Sequence, residues 1–92
     1  MWNAKTEELE DVSTLLDVDT GSVIVLYNDD VNTFDHVIDT LIRVCSHTPE
    51  QAEQCSLIVH YNGKCEVKTG SLEDLKPRYL RLLDEGLSAE LV

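Results

Sequence analysis

Val23-Ile24-Val25-Leu26-Tyr27-Asn28-Asp29-Asp30 is the stretch from which the fold can be read. A continuous run of β-branched, aliphatic and aromatic residues that stops at three polar ones predicts a strand with both faces buried, or nearly so. Asn28, Asp29 and Asp30 then make a turn, since short polar side chains bond back to their own backbone there. From Phe34 the apolar positions Phe34, Val37, Ile38, Leu41, Val44 and Cys45 recur at spacings of three and four, which predicts an amphipathic helix capped by Asn32 or Thr33. Thr48-Pro49-Glu50-Gln51 opens a second helix, with Thr at the cap, Pro in the first turn and Gln placed to close a capping box. That helix runs to about His60, and Tyr61-Asn62-Gly63 reads as a turn into a short strand from Lys64 to Lys68. Ser71 opens a third helix with the stripe Leu75, Tyr79, Leu82 and Leu83, which Pro77 should bend or restart. Gly86 ends it, and Leu87 to Val92 reads as a closing strand. The order strand, helix, helix, strand, helix, strand implies an α+β fold of two layers, with one sheet and the helices on a single face.

Composition narrows the partners. The chain has 92 residues, enough for one small core, and a net charge of −11 from 18 acidic against 7 basic residues. A nucleic-acid surface needs a basic face to displace counterions, and an anionic membrane attracts the same sign of charge, so neither is expected as a partner. Basic proteins or cationic groups on proteins suit the charge, although an acidic domain also stays soluble by it. No apolar run approaches the roughly 18 residues of a membrane helix. The start, Met1 to Glu8, lacks the cationic and apolar segments of a signal peptide. Cys45, Cys55 and Cys65 are odd in number and lack C-x-x-C spacing, which fits buried thiols in a reducing cytoplasm better than disulfides or zinc.

Residues 1–20 differ in composition from the rest: six acidic side chains face Lys5 alone. They read as a flexible acidic arm ahead of a core from residue 21 to 92, or as an ordinary first helix if Leu15 and Leu16 dock.

Asn28, Asp29, Asp30 and His60 form the one constellation that invites a chemical argument. As metal ligands they lack an i, i+4 pair or a fourth donor, so no metal is expected. As acid/base machinery, Asp and His lack a nucleophile in a recognisable motif. As a cation trap, an Asn oxygen, a carboxylate and a neutral imidazole nitrogen offer three acceptors to the three donors of an α-ammonium group. The same residues can equally be a surface turn with a helix cap, and spacing alone does not separate the two.

Val25-Leu26-Tyr27-Asn28-Asp29-Asp30, Phe34, Val37-Ile38-Asp39 and Val59-His60-Tyr61-Asn62-Gly63-Lys64 together resemble the ClpS family, adaptors that bring N-degron substrates to AAA+ Clp unfoldases. The match needs no gap from Val23 to Lys64 and extends to Arg78. It implies a β-α-α-β-α-β domain with a three-stranded antiparallel sheet, similar to the ribosomal stalk C-terminal domain, behind a mobile N-terminal arm. Carried over by position, the amine-binding residues fall on Asn28, Asp29 and His60, leaving Asp30 as a local cap or turn residue. The hydrophobic pocket falls on Asn32, Phe34, Val37, Ser56 and Val59, and on Leu87 in the final strand. The unfoldase-facing surface, at the start of the third helix, includes Glu73 and Arg78. Phe34 and Ser56 stand where methionine is usual, Asn32 replaces a threonine, and Arg78 replaces a lysine.

The resemblance implies a non-enzymatic, cytoplasmic, monomeric adaptor without cofactors. Its partners would be a ClpA- or ClpC-type unfoldase and proteins that begin with Leu, Phe, Tyr or Trp. The alternative is a module of the same fold that regulates the unfoldase without reading N-termini. If the amine is read, removing its charge should strand Asp29 without a partner.

Overall fold

The computed structural model describes residues 21–92, so the arm expected over residues 1–20 lies outside the described residues. Three strands and three helices follow in the order β1 (Ser22–Tyr27), α1 (Phe34–Cys45), α2 (Pro49–Asn62), β2 (Lys64–Gly70), α3 (Leu72–Asp84) and β3 (Ser88–Leu91). The most apolar strand, β1, is central, and it pairs antiparallel with β2 on one side and β3 on the other. Opposite Ile24 the β2 strand carries one extra residue, a bulge at Val67, which is buried in the core.

Both faces of β1 were expected to be buried, or nearly so; among the described residues one face is buried and the other half-buried. Ile24 and Leu26 are buried under the helices, whereas Val23, Val25 and Tyr27 on the other face are half-buried. The three helices fill one side only, and an antiparallel sheet tolerates water on its other face. The core continues through Leu41, Val44, Cys45, Ala52, Val59, Leu75, Leu82 and Leu87.

Local chemistry sets the helix ends. Thr33, rather than Asn32, caps α1, its Oγ1 accepting from the His36 N–H at 3.1 Å. The capping box of α2 is complete: Thr48 Oγ1 accepts from the Gln51 N–H at 3.1 Å, and Gln51 Oε1 accepts from the Thr48 N–H at 2.9 Å. Beyond His60, α2 continues to Asn62 and ends where Gly63 takes a φ of +96°, a conformation that costs glycine nothing. The second strand is also longer than expected, reaching Gly70.

Pro77 does not restart α3, which runs unbroken from Leu72 to Asp84, and it deprives the Glu73 carbonyl of its N–H. At the far end the Gly86 N–H bonds the Leu83 carbonyl at 2.9 Å and the Leu87 N–H bonds the Leu82 carbonyl at 3.0 Å. This paired closure packs Leu87 against the end of the helix. Leu87 therefore belongs to the helix terminus and not, as expected, to the final strand, which starts at Ser88. Among the described residues no helix is long and apolar enough to cross a membrane.

Candidate functional site

The site starts where β1 runs out of partners. Past Tyr27 the ladder ends on one last bond, from the Asn28 N–H to the Gly63 carbonyl at 2.9 Å. Because Gly63 closes α2, this bond draws the last turn of that helix, with His60, to the exit of the strand. Within α2, Ser56, Val59 and His60 lie three and four residues apart and share one face.

Asp29 organises the turn that follows. Its Oδ1 accepts from the backbone N–H groups of Val31 and Asn32, both at 3.0 Å. The Asn32 amide nitrogen reaches Oδ1 at 3.2 Å and Oδ2 at 3.1 Å, and the Ser88 hydroxyl donates to Oδ2 at 2.9 Å. Burial pushes this carboxyl up, but the hydrogen bonds from Asn32, Val31 and Ser88 outweigh it and hold the group below its ordinary value. Asp30 was expected to be the local cap or turn residue; Asp29 fills that place, and Asp30 stands exposed at the edge of the site. With these donors in place Asp29 is not stranded when no amine is present. Loss of a ligand's charge therefore removes contacts without uncovering an unpaired buried carboxylate.

A cavity of about 310 Å³ opens between the β1 exit, α1 and α2. Asn28, Asp29 and His60 line it, and so do Asn32, Phe34, Val37, Ser56, Val59 and Leu87. The structure also adds Leu26, Tyr27 and Asp30, which the sequence had placed only as strand and turn residues. The exposures separate floor from rim. Leu26, Ser56, Val59 and Leu87 are at most 6% exposed, whereas Asn28, Asp30, Phe34 and His60 face solvent. The floor is therefore apolar apart from the Ser56 hydroxyl, which has no hydrogen-bond partner, and the rim is rich in acceptors.

Two ring contacts hold the rim. His60 meets Phe34 edge to face, with centroids 6.4 Å apart and planes at 87°, and it meets Tyr61 at 4.7 Å and 80°. The side closed by Leu87 is braced from α1. His36 Nε2 lies 2.8 Å from the Glu85 carbonyl, so that nitrogen carries the proton and donates, and Arg43 bridges Asp39 at 2.9 Å and Glu85 at 3.4 Å.

Asn32 differs from its expected role. Its Nδ2 also donates to the Gly86 carbonyl at 2.9 Å, so it acts as a polar link across the site rather than as an apolar wall. Glu73 and Arg78 are not brought together: five residues apart on α3, they lie about 140° apart around the axis. Glu73 is exposed in the first turn, while the Arg78 Nη1 donates to the Val44 carbonyl at 2.8 Å and caps the end of α1. Among the described residues no group of three or more His, Cys, Asp or Glu side chains could hold a metal ion. A second hollow of about 320 Å³, beside β2, has a lining that is polar apart from Val67 and offers no apolar floor.

Comparison with known proteins gives a consistent result. Residues 20–90 match the family model described as the ATP-dependent Clp protease adaptor protein ClpS. The chain is 28% identical over 87 residues to the Clp protease adapter protein ClpS of Streptomyces coelicolor, covering 95% of this chain and 91% of that one. It is 39% identical over 59 residues to the same-named protein of Campylobacter jejuni, covering 64% of this chain and 59% of the other. Among solved structures, ClpS2 of Agrobacterium tumefaciens bound to L-phenylalaninamide superposes with a TM-score of 0.71 at 16% identity, over 80% of this chain and 99% of that one. That likeness concerns the fold.

Proposed function

The chain belongs to the ClpS family of ATP-dependent Clp protease adaptors, and we propose that it binds proteins whose first residue is Leu, Phe, Tyr or Trp and delivers them to a AAA+ Clp unfoldase. The observation that carries this reading is the cavity itself, in which a buried apolar floor and an acceptor-rich rim belong to one hollow. At about 310 Å³ it lies at the small end of ligand pockets, the size for one side chain rather than a peptide segment. Support also comes from the ligand of the Agrobacterium protein, a phenylalanine amide, which joins a ring to an amine.

In this reading the first side chain of the substrate descends between α1 and α2 onto Leu26, Val59 and Leu87. Its α-ammonium group stays at the rim, where Asn28, Asp29 and His60 accept its three protons. Burial of the side chain supplies about 1.5–3 kcal/mol. Charge-assisted hydrogen bonds add about 1.5–3 kcal/mol each, while association and ordering cost at least about 4 kcal/mol. With three such bonds the balance reaches about 8 kcal/mol at its most favourable, so micromolar binding is the tight limit, suited to a handover. In this reading no covalent bond is broken, so the domain is an adaptor rather than an enzyme, working beside its unfoldase in the cytoplasm. Residues 1–20 would engage the unfoldase, and Glu73 would lie on the docking surface.

Calorimetric titration with a Phe-initiated peptide and its N-acetylated twin tests the reading. The free peptide should bind saturably, with a Kd of about micromolar or weaker, and acetylation should weaken it at least about tenfold, the worth of one charge-assisted hydrogen bond. Equal affinities would overturn amine recognition. Absence of binding by either would leave a ClpS-fold module that regulates the unfoldase without reading N-termini.

A further inference from the structure

Asn32 stands apart from the other residues around the cavity, because its amide nitrogen serves two parts of the site at once. One end of the reach is the Asp29 carboxylate, at 3.2 and 3.1 Å from its two oxygens. The other is the Gly86 carbonyl, 2.9 Å away and 54 positions along the chain. Gly86 immediately precedes Leu87, a buried residue of the floor, and its φ of +89° fixes how the chain leaves α3. A second tie runs parallel, from the Ser88 hydroxyl to Asp29 Oδ2 at 2.9 Å. The turn after β1 and the connection after α3 are thereby closed into one ring. Thr33 caps α1, which leaves the Asn32 side chain available for this bridge.

We propose that Asn32 is a positioning residue that couples the rim to the floor, orienting the Asp29 carboxylate while setting the depth at which Leu87 closes the cavity. The proposal rests on the reading of the site as an N-terminus pocket for its consequence, but its geometry stands without that reading. An amide is suited to the task because one NH2 group offers two protons, one for the carboxylate and one for the carbonyl. A threonine hydroxyl has a single proton and could hold only one of the two, so this chain ties together what a threonine would leave separate.

The ionisable groups lining the cavity around Asp29 are Asp30 on its own turn, His60 on α2 and Tyr27 on β1; Ser88, which reaches it from β3, carries no charge. None of these changes in the variants below. The test uses the full chain as wild type, as Asn32→Ala and as the isosteric Asn32→Asp, which cannot donate. Each is checked for folding by circular dichroism and then followed by NMR.

Titration of the Asp29 side-chain carboxyl carbon reads the first arm. In both variants its midpoint should move up toward the ordinary carboxylate range, further in Asn32→Asp, where a second carboxylate faces it. Hydrogen exchange at the Leu87 amide reads the second arm and should quicken several-fold in both. A Kd for a Phe-initiated peptide, measured from pH 4 to 8, reads the consequence. In Asn32→Ala binding should weaken about tenfold at pH 7, and its acid limb should move to higher pH, because the carboxylate is then lost sooner as pH falls.

An unmoved Asp29 midpoint, or unchanged Leu87 exchange, in the folded variants would overturn the coupling. If both move while the wild type binds no peptide, the coupling stands and the N-terminus reading falls. Should Asn32→Ala fail to fold, Asn32→Asp alone decides.

Discussion

Replacing Asp29 by alanine should unfold the domain more easily even when no ligand is present, which follows from its place in the turn rather than from any binding role. The carboxylate accepts two backbone N–H groups, the Asn32 amide and the Ser88 hydroxyl. The backbone pair resembles a helix cap, worth about 1 kcal/mol. The Asn32 and Ser88 bonds are each worth about 1 kcal/mol net. Water reaches this half-buried site and recovers part of the loss, so about 2–3 kcal/mol of destabilisation is expected for Asp29→Ala.

Asp29→Asn keeps an oxygen for the backbone N–H groups but turns an NH2 toward other donors, and it should cost about 1 kcal/mol. Urea titrations followed by far-ultraviolet circular dichroism measure both, with an unchanged m-value as the check that the same transition is compared. The sign with pH follows from the lowered folded-state value of this carboxyl. Its stabilisation is complete above the ordinary carboxylate range and is lost as pH falls through the lowered value, so the gap between wild type and Asp29→Asn should close in acid. An Asp29→Ala protein within about 0.5 kcal/mol of wild type at pH 7 would refute the structural role.

Three further outcomes are expected. Pro77 is exposed inside α3 and leaves the Glu73 carbonyl without its N–H; Pro77→Ala should therefore raise stability by about 1–2 kcal/mol, the helix penalty of proline less its benefit in the unfolded chain, and a loss on thermal melting would contradict this. Burial and the neighbouring Cys55 thiol push the Cys65 thiol up to about 12, so peptide-resolved alkylation at pH 8 should be at least about a hundredfold slower at Cys65 than at free cysteine; a comparable rate would show the group to be ordinary. Ser56 forms part of the floor and Phe34 part of the rim, so Ser56→Met should fill the cavity and weaken Trp- and Tyr-initiated peptides more than Leu-initiated ones, while wild type favours aromatic first residues. Anisotropy with peptides that differ only at residue one reads both, and a preference for Leu over all three aromatics would argue against this division of roles.

What the sequence showed of the fold depended on how local the deciding interaction was. Thr48-Pro49-Glu50-Gln51 contains its whole capping box within four residues, and the box is present. Gly86 likewise marks the end of α3, but the bonds that close it fold Leu87 back onto the helix, which a strand-like run of letters does not reveal. That the outer face of β1 is only half-buried was not legible, because a run of Val, Ile and Leu looks the same whether one or two layers pack on it. Asp29 and Asp30 are neighbours of one residue type, and only Ser88, 59 positions away, and the turn geometry tell them apart. The bond from Arg78 to the end of α1 was not legible in the sequence, because its partner Val44 lies 34 positions earlier. Asn28, Asp29 and His60 stood out in the sequence as a candidate cation trap, but only the resemblance ranked that above a plain turn, and it alone supplied Asn32, Phe34, Val37, Ser56, Val59 and Leu87.

In the proposed function the hollow between α1 and α2 holds the first residue of a protein, with its amine at Asn28, Asp29 and His60. Nitrogen-15 NMR of the labelled domain, titrated with a Phe-initiated peptide and with its acetylated twin, tests it most directly. Saturable shifts are expected at Asn28, Asp29, Val37, Val59, His60 and Leu87 with the free peptide, and far smaller ones with the acetylated twin at equal concentration. Shifts concentrated on β2 or the outer face of α3, or the same shifts from both peptides, would contradict it.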